Sequence, residues 1–167
     1  MMRRKRFPFY CQNDAVDCGP TCLRMISKYY GREYSSQYIC GKINVGREGV
    51  SLLGLDKAAR ALGMHALGVR ITFKKLERDV HLPCIAHWEQ NHYIVIYRIQ
   101  ENRVFVANPR YGLLIYSKEE FIRGWISADK TRGVVLIIKP TSEFFIKHKE
   151  KNEKDIYHPP KKILRVC

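Results

Sequence analysis

The pattern of apolar positions changes character near residue 65. Before it, apolar residues recur at helical spacing. Cys22, Leu23, Ile26 and the pair Tyr29/Tyr30 fall on one face between Gly19-Pro20 and Gly31, which predicts a helix that starts at Gly19-Pro20 and stops at Gly31. Cys18 then lies at its N-terminus. A second helix fits 35–43, with Ser35 or Ser36 as cap, and a third fits Ser51 to Leu62, capped by Ser51 and ended by Gly63. Beyond the change, short β-rich runs take over: HALGVRI, LPCIAHW, HYIVIYRI, RVFVANP, GLLIYS and GVVLIIKP, interrupted by helical stretches at FKKLERDV and KEEFIRGW. Helices first and antiparallel strands after is an α+β order, with N-terminal helices packed on an antiparallel sheet. It is not the alternation of a doubly wound nucleotide-binding fold, and the chain has no GxxxxGK[ST] loop.

Length and composition add limits. At 167 residues the chain suits one domain with extensions. No stretch approaches the roughly 20 uninterrupted apolar residues of a membrane span, and the N-terminus lacks the apolar region of a secretory signal. A cytosolic setting is therefore expected. In that setting the six cysteines (Cys11, Cys18, Cys22, Cys40, Cys84, Cys167) read as free thiols and not as a disulfide framework. Their spacing, C-x6-C-x3-C with no CxxC pair, does not fit zinc, so no metal and no cofactor are expected.

The formal net charge of +14 also suits a nucleic-acid binder, but its distribution points elsewhere. Arg3-Arg4-Lys5-Arg6 and the cations from Lys147 to Arg165 flank the core and do not stripe one helix. Such flanks fit acidic lipid head groups at a membrane surface better than nucleic acid. The chain accordingly divides into a basic N-terminal extension (1–6), a core domain (7–140) and a charged linker (141–167), where KHKEKNEKDIYHPPKK replaces apolar patterning.

The candidate chemistry starts at Cys18. A thiol attacks as its thiolate, and a helix N-terminus favours negative charge through its unbonded N–H groups. A cysteine in a tight turn, taken alone, is more often a small packing residue. Cys22, one helical turn on, belongs to the core face; Cys84 lies in an apolar strand, Cys40 in a helix and Cys11 in the entry segment. The thiol needs an imidazole, and the imidazole needs a third group to hold its ring. His148 and His158 fall in the charged tail, His65 and His81 in turns, and His87 inside a strand, whereas His92 opens a strand after the polar turn Glu89-Gln90-Asn91. A hairpin at Glu101-Asn102 brings Asn108 alongside His92, and Pro109 keeps Asn108 extended. Gln12, six residues before Cys18, is a candidate NH₂ donor for an oxyanion, together with the Cys18 backbone N–H.

With Gln12, Asp14, Asp17-Cys18-Gly19, Cys22-Leu23, REGVSLLGLDKAARALG, LPCIAHWEQNHYIVI and VANPRYG in view, the stretch from about Phe7 to Pro140 resembles the C39 peptidases. These form the N-terminal domain of bacteriocin-processing ABC transporters. The resemblance implies a papain-like cysteine peptidase with Cys18 as nucleophile, His92 as base, Asn108 as orienting residue and Gln12 in the oxyanion hole. It further implies a substrate precursor whose helical leader ends in Gly-Gly. The partners would be the transmembrane and nucleotide-binding domains of one full-length transporter, with this domain at the cytoplasmic face of the bacterial inner membrane. The alternative is a non-catalytic, leader-docking domain, as in related transporters that lack the cysteine. The chain departs from the family at Asn108, where an aspartate is the commoner residue.

Overall fold

The computed structural model describes residues 6–43, 49–126 and 131–146. Pro20 lies in the first turn of α1 (Cys18–Tyr29), where a missing N–H breaks no helical bond. Cys22, Leu23, Met25 and Ile26 give α1 a fully buried stripe, and the chain leaves the helix through Gly31 in the left-handed region (φ +93). Serine hydroxyls cap the next two helices. Ser35 accepts from the Tyr38 N–H to start α2 (Ser36–Cys40), and Ser51 from the Gly54 N–H to start α3 (Leu52–Ala61). The second helix is shorter than the 35–43 expected, because Gly41 ends it.

Six strands follow: β1 (Met64–Ile71), β2 (Cys84–Trp88), β3 (His92–Gln100), β4 (Arg103–Asn108), β5 (Gly112–Ser117) and β6 (Gly133–Pro140). They form one antiparallel sheet in the order β1-β6-β2-β3-β4-β5. Two further helices, α4 (Phe73–Asp79) and α5 (Lys118–Trp125), interrupt the strands.

The sheet is covered on both faces, which the α+β reading did not foresee. On one face Cys22, Leu23 and Ile26 meet Ile85, Val95, Leu136 and Ile138. On the other, Phe73 and Leu76 of α4 and Phe121 and Trp125 of α5 meet Ala86, Ile94, Ile96, Val106 and Val135. Two-sided burial explains why HYIVI and VFVA read as unbroken apolar runs without alternation.

A second difference concerns the boundary expected at Pro140. Residues Ser142–Ile146 form α6, and Phe144 is fully buried in the core. The Thr141 hydroxyl donates to the Gly63 carbonyl (2.5 Å), and a Cβ at Gly63 would come within 2.5 Å of the Phe144 nitrogen. The packed unit thus runs to 146. Segments 1–5 and 147–167 of the expected extension and linker lie outside the described residues. Cys18, Cys22, Cys40 and Cys84 are free thiols; Cys11 departs from the free-thiol expectation, being disulfide-bonded. Among the described residues no helix is long and apolar enough to cross a membrane.

Candidate active site

Cys18 is the first residue of α1 and is 5% exposed. Asp17 occupies the cap position, yet its side chain makes no capping bond; instead it accepts from the Cys40 thiol at 3.9 Å. The N–H groups of the first turn are left without a side-chain cap, and those of Cys18 and Gly19 reach the Cys18 sulfur, as does the Tyr93 N–H from β3. Burial nevertheless dominates and pushes the thiol up from its ordinary value, with these three N–H groups and the Arg110 charge pulling it partly back. The helix start alone does not make a thiolate. Cys22 is more deeply buried, and its thiol is pushed up much further, in keeping with packing.

His92 and Asn108 meet at the end of the sheet, 5% and 1% exposed. His92 Nε2 lies 2.9 Å from Asn108 Oδ1. The same Oδ1 accepts the backbone N–H of Arg110 at 3.0 Å, and a backbone amide can only donate. The oxygen of the Asn108 amide is therefore fixed at this position, so His92 must carry its proton on Nε2. Nδ1 is left as the bare, basic nitrogen, and it is buried without a protein partner. That is the tautomer able to take a proton from a thiol. Burial lowers the His92 pKa; Arg110 lowers it further, while the Asn108 bond and Glu89 oppose the shift.

Their meeting depends on one irregularity. The β3–β4 hairpin turns at Glu101-Asn102, both with positive φ, and pairs Gln100 with Arg103; between Arg98 and Ile96 the register slips, so that Val95 faces Ala107. Tyr97 is the extra residue of a β-bulge. Without that slip, strand alternation would direct His92 and Asn108 to opposite faces; with it, they share one. The other wall of His92 is held by the β2–β3 turn, where the Glu89 N–H donates to the Gly124 carbonyl of α5 (2.9 Å) and the Trp88 ring lies over Gly124, so close that a Cβ there would meet it at 2.4 Å.

Gln12 is partly buried. Its Nε2 donates to the Asp14 carbonyl at 2.6 Å, which uses one of two N–H bonds and fixes the amide. Its backbone N–H donates to the Pro109 carbonyl at 3.0 Å, which ties the segment before Cys18 to the residue after Asn108. The four residues singled out in the sequence thus belong to two strips of backbone stitched together. Of the other candidates, His87 is half-buried against Tyr93, ring centroids 5.3 Å apart, and His148 and His158 lie outside the described residues. Sequence reasoning missed the backbone of Arg110, the Glu89–Gly124 contact and the bulge, none of which has a side-chain signature.

A thiol at a helix start, with a strand imidazole locked by an amide in the proton-accepting tautomer, defines a cysteine peptidase of papain-like architecture. Comparison with known proteins supplies the family. Residues 6–143 match the Peptidase C39 family, and the chain belongs to it. It is 31% identical over 141 residues to the colicin V secretion/processing ATP-binding protein CvaB of Escherichia coli, covering 84% of this chain and 19% of that protein. It is also 31% identical over 138 residues to the lactococcin-G-processing and transport ATP-binding protein LagD of Lactococcus lactis subsp. lactis, covering 80% and 19%. The chain thus spans about a fifth of the length of these relatives. Among solved structures, a double glycine motif protease from an AMS/PCAT transporter, in complex with the leader peptide, superimposes with a TM-score of 0.75 at 32% identity, covering 83% of this chain and 94% of that one. The peptidase domain of Streptococcus ComA, a bi-functional ABC transporter, gives 0.73 at 26%, covering 81% and 100%.

Proposed function

We propose that this domain is an endopeptidase that removes the leader of a bacteriocin-like precursor after a Gly-Gly pair, in concert with export by an ABC transporter at the cytoplasmic face of the bacterial inner membrane. The observation that carries it is the His92 tautomer, with Nε2–H given to Asn108 and Nδ1 bare and buried, in a chain similar to a protease solved with its leader peptide.

In the proposed reaction the Cys18 proton moves to His92 Nδ1, and the thiolate attacks the carbonyl carbon of the second glycine. The oxyanion is bound by the Cys18 N–H and by the second N–H of Gln12 Nε2. Burial disfavours either charge alone; forming both together lets each partner the other. The C–N bond breaks as Nδ1 returns its proton to the departing amine, leaving a thioester. Water then gives a proton to Nδ1 and attacks the thioester, and the C–S bond breaks to restore the thiol and release the leader acid.

The test is mass spectrometry of a Gly-Gly precursor incubated with the domain, with and without iodoacetamide. Cleavage after Gly-Gly that iodoacetamide and Cys18→Ala both abolish is expected, with Cys22→Ala retaining activity. Wild-type cleavage by Cys18→Ala would overturn the assignment.

A further inference from the structure

We propose that Tyr10, clamped against α1 by Arg24 and Glu33, is the positioning residue that sets the Gln12 amide at the height of Cys18. This rests on the oxyanion role given to Gln12 above. The family resemblance assigns nothing to Tyr10, and the case for it is local geometry.

The segment before Cys18 runs as a strap back along α1. Phe7 is buried, with its ring against Tyr29 at the end of the helix (5.5 Å between centroids). Three residues on, the Tyr10 ring lies under the Arg24 guanidinium, whose carbon stands 3.7 Å from the ring centroid. At the rise of an extended chain, about 3.3 Å per residue, the step from Phe7 to Tyr10 matches the step back from Tyr29 to Arg24, at about 1.5 Å per helical residue, to within about 3 Å. By the same rises, two more residues carry the chain back by about four helical positions, to the first turn of α1. Gln12 therefore comes abreast of the turn that carries Cys18.

Contacts on both sides of the Tyr10 ring fix where the strap lies. Arg24 Nε donates to the Tyr34 carbonyl (2.8 Å), so the cation over the ring is itself tied to the backbone beyond α1. The Tyr10 hydroxyl donates to Glu33 Oε1 (2.9 Å), and Glu33 Oε2 pairs with Lys28 of α1. Lys28 and the Tyr10 hydroxyl hold the Glu33 carboxyl below its ordinary value, so it is an ionised acceptor at neutral pH. The contacts of Gln12 itself leave its height along the helix open. Its Nε2 donates to the Asp14 carbonyl (2.6 Å), two residues along the same segment and moving with it, and its Oε1 is buried without a protein partner. The Gln12 N–H, through the Pro109 carbonyl (3.0 Å), ties the segment to the sheet; Tyr10 ties it to the helix. An oxyanion donor must meet its oxygen at about 2.7 to 3.1 Å, and a misplacement of about 1 Å can cost about 100-fold in rate. Tyr10 therefore acts on rate through Gln12, without touching substrate.

The experiment measures kcat and KM for cleavage of a Gly-Gly precursor by wild type, Tyr10→Phe, Tyr10→Ala, Gln12→Ala and the Tyr10→Ala/Gln12→Ala double variant. The rate of Cys18 alkylation by iodoacetamide and the hydrogen exchange of the Gln12 N–H, read by NMR, are measured alongside. Tyr10→Ala removes both ring and hydroxyl and should lower kcat by about 10- to 100-fold, with KM and the alkylation rate unchanged. Tyr10→Phe keeps the ring under Arg24 and should lose less; Glu33→Ala should match it, since each deletes the same bond. In the Gln12→Ala background, Tyr10→Ala should change kcat by less than about twofold, because the group it positions is gone. Exchange at Gln12 should be faster in both Tyr10 variants, with the Met25 and Ile26 amides of α1 unchanged. An equal loss of kcat with and without Gln12, a loss confined to KM, alkylation that slows together with kcat, or Gln12 exchange at the wild-type rate would overturn the proposal. Full kcat in Gln12→Ala would remove the oxyanion reading and the proposal with it. Where Tyr10→Ala does not fold, Tyr10→Phe with and without Gln12 decides the same question. If wild type leaves the precursor whole, the substrate reading fails, while exchange at Gln12 still decides whether Tyr10 holds it.

Discussion

Asn108→Asp is the most informative single change in this site. It keeps Oδ1 as acceptor for both the His92 Nε2–H (2.9 Å) and the Arg110 N–H (3.0 Å), and adds only a negative charge beside the imidazole. Two unit charges about 4 Å apart interact by about 1 kcal/mol in a water-like medium and about 4 kcal/mol at an effective dielectric near 20. At 1.36 kcal/mol per unit this is about 1 to 3 pH units in favour of imidazolium, with the upper end reduced by the cost of burying a carboxylate at a position 1% exposed. Burial holds the His92 pKa below that of the Cys18 thiol, so imidazolium is lost on the acid limb of kcat/KM, and that limb should move up by that amount. Stability gives an independent reading. In the wild type, burial lowers the folded-state pKa of His92, so its contribution is present above the unfolded value near 6.5 and is lost as pH falls through the folded value. In Asn108→Asp the folded pKa is raised, and the contribution is present below about 6.5 and lost as pH rises through the new value. Thermal unfolding between pH 5.5 and 8 should show this reversal. An acid limb that stays in place or moves down in a folded Asn108→Asp protein would refute the geometry inferred for the His92 proton.

Three further outcomes follow. Gln12→Ala should lower kcat by about 10² to 10³ with the Cys18 alkylation rate unchanged; a loss confined to KM would remove Gln12 from the oxyanion site. Gly124→Ala should destabilise by about 1 to 3 kcal/mol, since the new Cβ meets the Trp88 ring at 2.4 Å, and should lower kcat through the turn that carries His92. A gain in melting temperature from better helix propensity would count against that packing. Phe144→Ala should cost about 3 to 5 kcal/mol, at roughly 2 to 4 °C of melting temperature per kcal/mol. A shift under 2 °C would return the domain boundary to Pro140.

The sequence was most legible where one residue type has one physical use. Gly31 in the left-handed region, the serine caps at Ser35 and Ser51, and the polar break before His92 all marked real boundaries. The candidate site was legible because thiol, imidazole and amide are chemically distinct. Register was not, because the bulge at Tyr97 has no composition signal, and α6 was hidden because a five-residue helix carrying one buried phenylalanine is too short for a period to show. Two-sided burial was concealed in the same way, since a continuous apolar run states that a strand is buried but not by what.

The extra residue in β3 has a consequence for how this hairpin can change. A strand is a parity counter: each insertion or deletion in its stem exchanges inside for outside for every residue on one side of it. Removing Tyr97 would give an unbroken ladder, a more regular sheet, and a His92 that no longer shares a side with Asn108. Tyr97 also stacks on Phe7 (4.6 Å between centroids, 6° between planes), which anchors the segment leading to Gln12. One residue therefore sets the parity of the strand that bears His92 and moors the segment that carries Gln12. Length changes in this enzyme should be tolerated at the Glu101-Asn102 tip, beyond the counter, and be lethal between Tyr97 and His92.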